Sequence, residues 1–446
     1  MSILNCPSGF ELKALAQRNP ALGALAGVFF LVALNSLYNS LASAFGVGFP
    51  HTTFLFTPSD LFADYFKAVF SYPGSENIRL EGTSRLSKLL VGYLHENPYG
   101  SVDNLALGKL SNLHGMPLPT LWALGNVRLM AVVAPFKLFF LMSVPVLFGL
   151  YFILHKVSLT ARDRLIWCTL AAISYPMLFV ATRGHLMAGM ITVLLLAFVM
   201  LMYTNTHQWL AFLLLAIVVN LRPNTIIFAS LLLITQPRNI IRNCLFFGFT
   251  ALAIFLCSFL LATNIYPDYT FENFSIAVSI YHATYVAGSA GLAYGSSLLG
   301  GLKVLFGYHR FFELGILAIG LVTLVAFSVL LHFGKLSRVC YVFIVCALYA
   351  LCPSVFGDYY LLIFIAPLLC LYLGSISELS AGASWSNSDL AIFLVSVLLL
   401  APKNYVFMRG GVSPQVLINP MLLLAAVVFC LQQAYTAGRT TKPLRG

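Results

Sequence analysis

The chain is divided by about twelve runs of apolar residues, most of them near the roughly 20 residues that span hydrocarbon as a helix. They cover approximately 22–45, 138–154, 165–182, 186–203, 209–221, 224–235, 244–262, 311–331, 339–352, 359–375, 389–407 and 417–433. Too little polar surface separates them for a chain in water: 60% of residues are apolar and 9% charged, against roughly 25% charged in soluble domains. Lipid removes that conflict, and a chain in lipid must satisfy its backbone groups internally, which helices do. The expected fold is an all-α polytopic membrane protein with about 12 transmembrane helices, forming one domain over residues 1–446.

The net charge of +11 is spread in short clusters between the apolar runs, with no basic stripe, so no nucleic-acid partner is expected. Nine cysteines occur, mostly inside apolar runs and never as a CxxC pair, which reads as small buried hydrophobes. The first apolar stretch, Leu22 to about Phe45, exceeds the roughly 7–15 residues of a signal-peptide core and is expected to stay as an anchor.

Charge sets the expected topology. Lys13 and Arg18 favour a cytoplasmic N-terminus. The segments 209–221 and 224–235 meet at Leu221-Arg222-Pro223-Asn224 and could be one kinked helix or two. With two, the basic linkers His155–Arg164, Gln236–Asn243 and Gly334–Arg338 and the tail bearing Arg439, Lys442 and Arg445 all face the cytoplasm. One helix would export Arg238 and Arg242, so two helices and cytoplasmic termini fit better. Two long excursions, 46–137 and 263–310, then face the exoplasm. Apolar stretches such as Leu61–Phe70 and Leu118–Ala134 imply interfacial helices in the first.

The same side collects Asp60, Asp64, His114, Arg183, His185, Arg222, His282, Lys303 and Asp358. Several sit at or inside span ends, where an ionised group needs a partner or a wet cavity. A few carboxylates among many cations suit an anionic, phosphorylated ligand; ordinary loop charge with snorkelling stems is the plainer reading of each residue alone. There is no G-x-x-x-x-G-K-[ST] loop, no Rossmann fingerprint among Gly288, Gly291 and Gly295, no H-E-x-x-H and no G-x-S-x-G elbow in a suitable context. Any donor it uses should be activated by other means.

The segment Pro58-Ser59-Asp60-Leu61-Phe62-Ala63-Asp64-Tyr65-Phe66-Lys67-Ala68 resembles the Ser-Asp-aromatic/Leu motif, followed by Tyr and a small residue, of the GT-C membrane glycosyltransferases. Within them it is similar to the bacterial family of polyprenyl-phosphate-mannose-dependent mannosyltransferases. Asn97-Pro98-Tyr99 with Met116-Pro117-Leu118-Pro119 resembles that family's Tyr…Tyr-Pro-Pro region. Arg222-Pro223-Asn224 resembles its Lys-Pro-Gln turn, and Pro353-Ser354 with Asp358-Tyr359-Tyr360 its late Ser-Pro…Tyr turn. The motifs are short and run in order along most of the chain. The Asp-to-Tyr spacing is one residue longer here, and Arg replaces Lys.

The resemblance implies transfer of a hexose from a polyprenyl-phosphate-sugar donor to a glycan or lipid-linked acceptor hydroxyl at the exoplasmic face, with inversion. Phosphate is a good leaving group, so one carboxylate can suffice, unlike the acid–base pair of most glycoside hydrolases. It orients the acceptor hydroxyl and takes its proton, while cations stabilise charge on the departing phosphate. Asp60 occupies the motif position of the base and Asp64 is the second candidate; on a helix from Pro58 the two share a face. Capping of that helix is the structural reading of Asp60. Arg222, Arg183, His185, His282 and Lys303 are the phosphate-binding candidates. Tyr65, Asn97, Tyr99, His114, Tyr285, Asp358 and Tyr359 are the sugar or acceptor candidates. No cofactor is expected, with a divalent cation at the Asp pair left open.

A secondary transporter or flippase of lipid-linked sugars also has about twelve spans, but would place polar residues near the midplane in two related halves. A polyprenyl-linked glycan polymerase or ligase is nearer in chemistry, yet such chains carry their large outer loop late.

Overall fold

The computed structural model describes residues 19–44, 116–122, 149–151, 153–155, 159–183, 185–234, 240–265, 269–288, 292, 295–378, 385–401 and 415–440. Within them the chain is helical, with one isolated bridge between Gly295 and Gly357. Leu186–Tyr203, Ile240–Ile265, Arg310–His332 and Gln415–Thr436 are long and apolar enough to cross a membrane. Ala161–Ile173 and Tyr175–Ala181 add a fifth if this pair, bent by 64°, is one span. The chain is thus an all-α membrane protein.

The helices used below are α1 (Pro20–Ala44), α2 (Ala161–Ile173), α3 (Tyr175–Arg183), α4 (Leu186–Tyr203) and α5 (Gln208–Leu221). A 3-10 helix, Pro223–Ile234, leads to α6 (Ile240–Ile265) and α7 (Phe271–Tyr281), which continues into a π-helical turn, His282–Ala287. Then come α8 (Leu298–Phe306), α9 (Arg310–His332) and α10 (Arg338–Leu351). A second 3-10 stretch, Asp358–Phe364, enters α11 (Ile365–Glu378), and α12 (Asn387–Leu400) and α13 (Gln415–Thr440) close the order.

Local chemistry fixes many ends. Ser337 and Ser297 cap α10 and α8 by accepting from Cys340 N and Gly300 N. Ser386 and Asp389 form a capping box on α12. Gly307 and Gly334, at φ +79 and +65, end α8 and α9 in a left-handed conformation that costs a glycine little.

Burial separates two kinds of helix. From Cys340 to Leu351, α10 is buried on every side and forms the axis of the core. In contrast, α6 and α9 leave side chains such as Phe249, Ile319 and Val322 about two-thirds exposed or more. Such apolar faces are tolerable when the surroundings are hydrocarbon.

Directions follow from cross-contacts. Phe212 packs on Phe246, and Asn220 Nδ2 donates to Ala251 O at 2.9 Å, so α5 and α6 run the same way. The 3-10 helix between them must therefore run back. It does so along α10: Arg222 Nη2 meets Val355 O beyond the C-terminus of α10, while Ser230 O accepts from Tyr341 near its start. Residues 208–234 are accordingly two antiparallel elements with Arg222 at the bend. At 2.0 Å rise, twelve residues of 3-10 helix reach about 24 Å, against about 18 Å in an α-helix.

The bundle has two unlike ends. At one, Tyr203 hydroxyl donates to Cys370 O and Cys340 Sγ to Gln433 Oε1; the starts of α2, α6 and α10, with Arg162, Arg164, Arg242 and Arg338, lie there. His185, Arg222, residues 282–288 and 295–297, Glu313, Ser354–Tyr360 and Asn419 gather at the other, the polar end. Arg162, Arg164, Arg242 and Arg338 thus share the end opposite to the candidate site.

Candidate functional site

Arg222 ends α5 in an extended conformation, which the following Pro223 favours in the residue before it. The bend leaves a partly buried guanidinium among rings. Its Cζ lies 3.7 Å from the centroid of Tyr360 and 5.9 Å from those of Tyr349 and Phe356. Stacking of this kind contributes roughly 0.5–2 kcal/mol, more as water is excluded. Nε donates to Asn224 Oδ1 at 2.9 Å and Nη2 to Val355 O at 3.2 Å. Among the described residues the other three of its five N–H donors have no partner, and no carboxylate pairs with it.

Around Arg222 the tertiary fold draws in other candidates. The His185 ring lies 4.4 Å from that of Tyr359 and 6.4 Å from that of Tyr360, while Tyr281 lies within electrostatic reach of Arg222. His185 caps α4 by accepting from Ala188 N on Nδ1, which directs its other ring nitrogen away from that helix end. Arg183 is the last residue of α3, two positions before His185. Tyr349 adds a phenol hydroxyl that is buried without a hydrogen-bond partner among the described residues.

The segment 353–358 is a strap that ties this cluster to the rest of the polar end. Ser354 Oγ donates to Glu313 Oε1 and Val355 O accepts from Arg222. Phe356 O accepts from Ser296 N at 2.9 Å. Asp358 is fully buried and accepts from Ser296 Oγ, which itself accepts from Asn419 Nδ2. The Asp358 carboxylate thus joins the strap to the second excursion and α13, rather than standing open at the surface. A Cβ at Gly357 would lie 2.5 Å from the Tyr359 ring, which would have to shift to admit it.

Other predicted phosphate ligands are differently engaged. Lys303 Nζ donates to Tyr285 O, Val286 O and Gly288 O at 3.2, 2.7 and 2.5 Å, spending all three N–H bonds on the end of the π-helical turn. Burial pushes its ammonium below the usual lysine range, with Glu313 opposing. We expect Lys303→Met to cost about 2–3 kcal/mol by leaving these carbonyls without that donor, read as a lower melting temperature in detergent. An unchanged melting temperature would show that the ammonium is not the fastener. His282 Nε2 lies 3.3 Å from Glu313 Oε2, and Tyr285 stacks on Tyr281 at 5.0 Å.

Asp60, Asp64, Tyr65, Asn97, Tyr99 and His114 lie outside the described residues. One piece of the first excursion is described: residues 117–122 are helical, and the buried Thr120 forms a hydrogen bond with Tyr269 just before α7. Burial pushes the Tyr269 phenol up to about 12, against that bond. The first excursion therefore touches the second.

Sequence reasoning missed Glu313, Tyr349 and Phe356. Glu313 carried a signal, a lone carboxylate inside an apolar run. The two aromatic residues carried none, because aromatics make up 14% of this chain.

No protein-family model matches this chain, and comparison with curated proteins and with solved structures gives no significant match.

Proposed function

We propose that this protein is a GT-C-type membrane glycosyltransferase. It moves a hexose from a polyprenyl-phosphate-sugar donor to a glycan or lipid-linked acceptor hydroxyl at the exoplasmic face of the plasma or inner membrane. Its spans number about twelve, with both termini cytoplasmic. The observation that carries the reading is Arg222: a guanidinium with three open donors and no acidic partner among the described residues, stacked on Tyr360 at the polar end of an apolar bundle. A planar fork of donors suits a phosphate oxygen pair. The rings of Tyr359, Tyr281 and Tyr285 beside it suit the apolar faces of a sugar.

Chemically, the donor's glycosidic C–O bond to phosphate breaks as the acceptor oxygen bonds to the anomeric carbon. The electron pair leaves on the phosphate, facing Arg222, and the acceptor proton goes to Asp60, the motif carboxylate. His185 is a second donor toward the phosphate.

The test is direct. Purified protein in liposomes, given a panel of radiolabelled polyprenyl-phosphate sugars, should transfer or hydrolyse at least one. No release from any of them, together with movement of label into the vesicles, would replace this reading with transport.

A further inference from the structure

Three donors from three parts of the polar end converge on one carboxylate. Glu313, in the first turn of α9 and with its side chain 16% exposed, accepts from Ser354 Oγ at 2.9 Å on Oε1. Its Oε2 accepts from Tyr308 hydroxyl at 2.9 Å and faces His282 Nε2 at 3.3 Å. Lys303 is the further charge it feels. Ser354 is the residue before Val355, whose carbonyl holds Arg222 Nη2. One peptide unit therefore separates the Glu313 bond from the Arg222 bond. Ser354 and Val355 lie between α10 and the 3-10 stretch. Ser354 O also accepts from Ser297 Oγ at 3.3 Å and Val355 packs beside Val286, Leu299 and Ile316, but the Glu313 bond is the one made by the Ser354 side chain.

We infer that Glu313 is a positioning residue for the Arg222 site: through Ser354 it sets the Val355 carbonyl, which holds the guanidinium over the Tyr360 ring. This rests on the phosphate-binding reading of Arg222, but its geometry can be tested separately. A carboxylate is suited to the task because it offers enough lone pairs for all three donors, where a glutamine has a single acceptor oxygen. His282, at the start of the π-helical turn, ties the second excursion to the same anchor.

The experiment compares wild type with Glu313→Gln, Ser354→Ala, the double variant and Ser354→Thr, in detergent. One measurement is the rate at which phenylglyoxal modifies Arg222, followed by peptide mass spectrometry. The other is the affinity for farnesyl phosphate, a short isoprenoid monophosphate. Loss of one such hydrogen bond corresponds to roughly a fivefold change. Glu313→Gln and Ser354→Ala should each speed Arg222 modification and weaken farnesyl phosphate by about that factor. The double variant should do no more than either single, because both cut one link, and Ser354→Thr should restore the wild-type values. Wild-type modification rates in Ser354→Ala, or effects that add in the double variant, would overturn the inference. Ser354→Ala removes a single oxygen, so it decides the matter if Glu313→Gln does not fold. If farnesyl phosphate fails to bind wild type while the modification rates change as expected, the positioning role stands and the phosphate reading falls.

Discussion

Arg222→Lys is expected to lower kcat/KM for the polyprenyl-phosphate-sugar roughly 10²–10³-fold, the usual loss on removing one preorganised donor to a developing oxyanion. Charge is kept in this variant, so a purely Coulombic role predicts little change. Three features of Arg222 are not available to lysine. Nε reaches Asn224 and Nη2 reaches Val355 O while Cζ lies 3.7 Å from the Tyr360 ring centroid, and an ammonium has no planar fork to do all of these together. The open donors of arginine also point in fixed directions, so a phosphate meets them without reorganisation. Steady-state kinetics in liposomes, with the melting temperature as a control, make the test. A lysine variant with wild-type kcat/KM would remove Arg222 from the phosphate site.

The larger effect is expected from Asp60→Asn: turnover falls roughly 10²–10⁴-fold, as when a positioned general base is lost, while donor binding stays near wild type. Asparagine matches aspartate in size and still accepts a hydrogen bond at a helix N-terminus. A capping role therefore predicts near-normal activity, since Asn caps about as well as Asp. An unperturbed aspartate, with a pKa of about 3.9, is a weak base. Its contribution depends on holding the acceptor hydroxyl at attack distance. Turnover and donor affinity measured on the same preparation separate the readings: activity near wild type refutes the base, and loss of donor affinity alone moves Asp60 to binding.

How much was legible before the fold differs between elements and site. The apolar runs 186–203, 244–262 and 311–331 lie within helices Leu186–Tyr203, Ile240–Ile265 and Arg310–His332. The division at Arg222 was readable as well, from charge: a single helix over 209–235 would export Arg238 and Arg242. Bond by bond, however, the candidate site was not. Lys303 looked like an anion ligand and proves to hold three carbonyls, because the π-helical turn brings them to it. Asp358, a sugar or acceptor candidate in sequence, is buried and accepts from Ser296, and three side chains converge on Glu313, which no motif marks.

The reason lies in the range of the forces. Composition determined that this protein belongs in lipid. Apolar runs near the roughly 20 residues of a spanning helix determined that it is helical, since a backbone in hydrocarbon must satisfy its hydrogen bonds internally. Sequence also marked Arg222 as a residue in need of partners, because the cost of its charge is local. Which partners it found was decided by the tertiary structure. Arg222 and Val355 stand 133 positions apart, and only the packing of the 3-10 helix against α10 brings them within 3.2 Å.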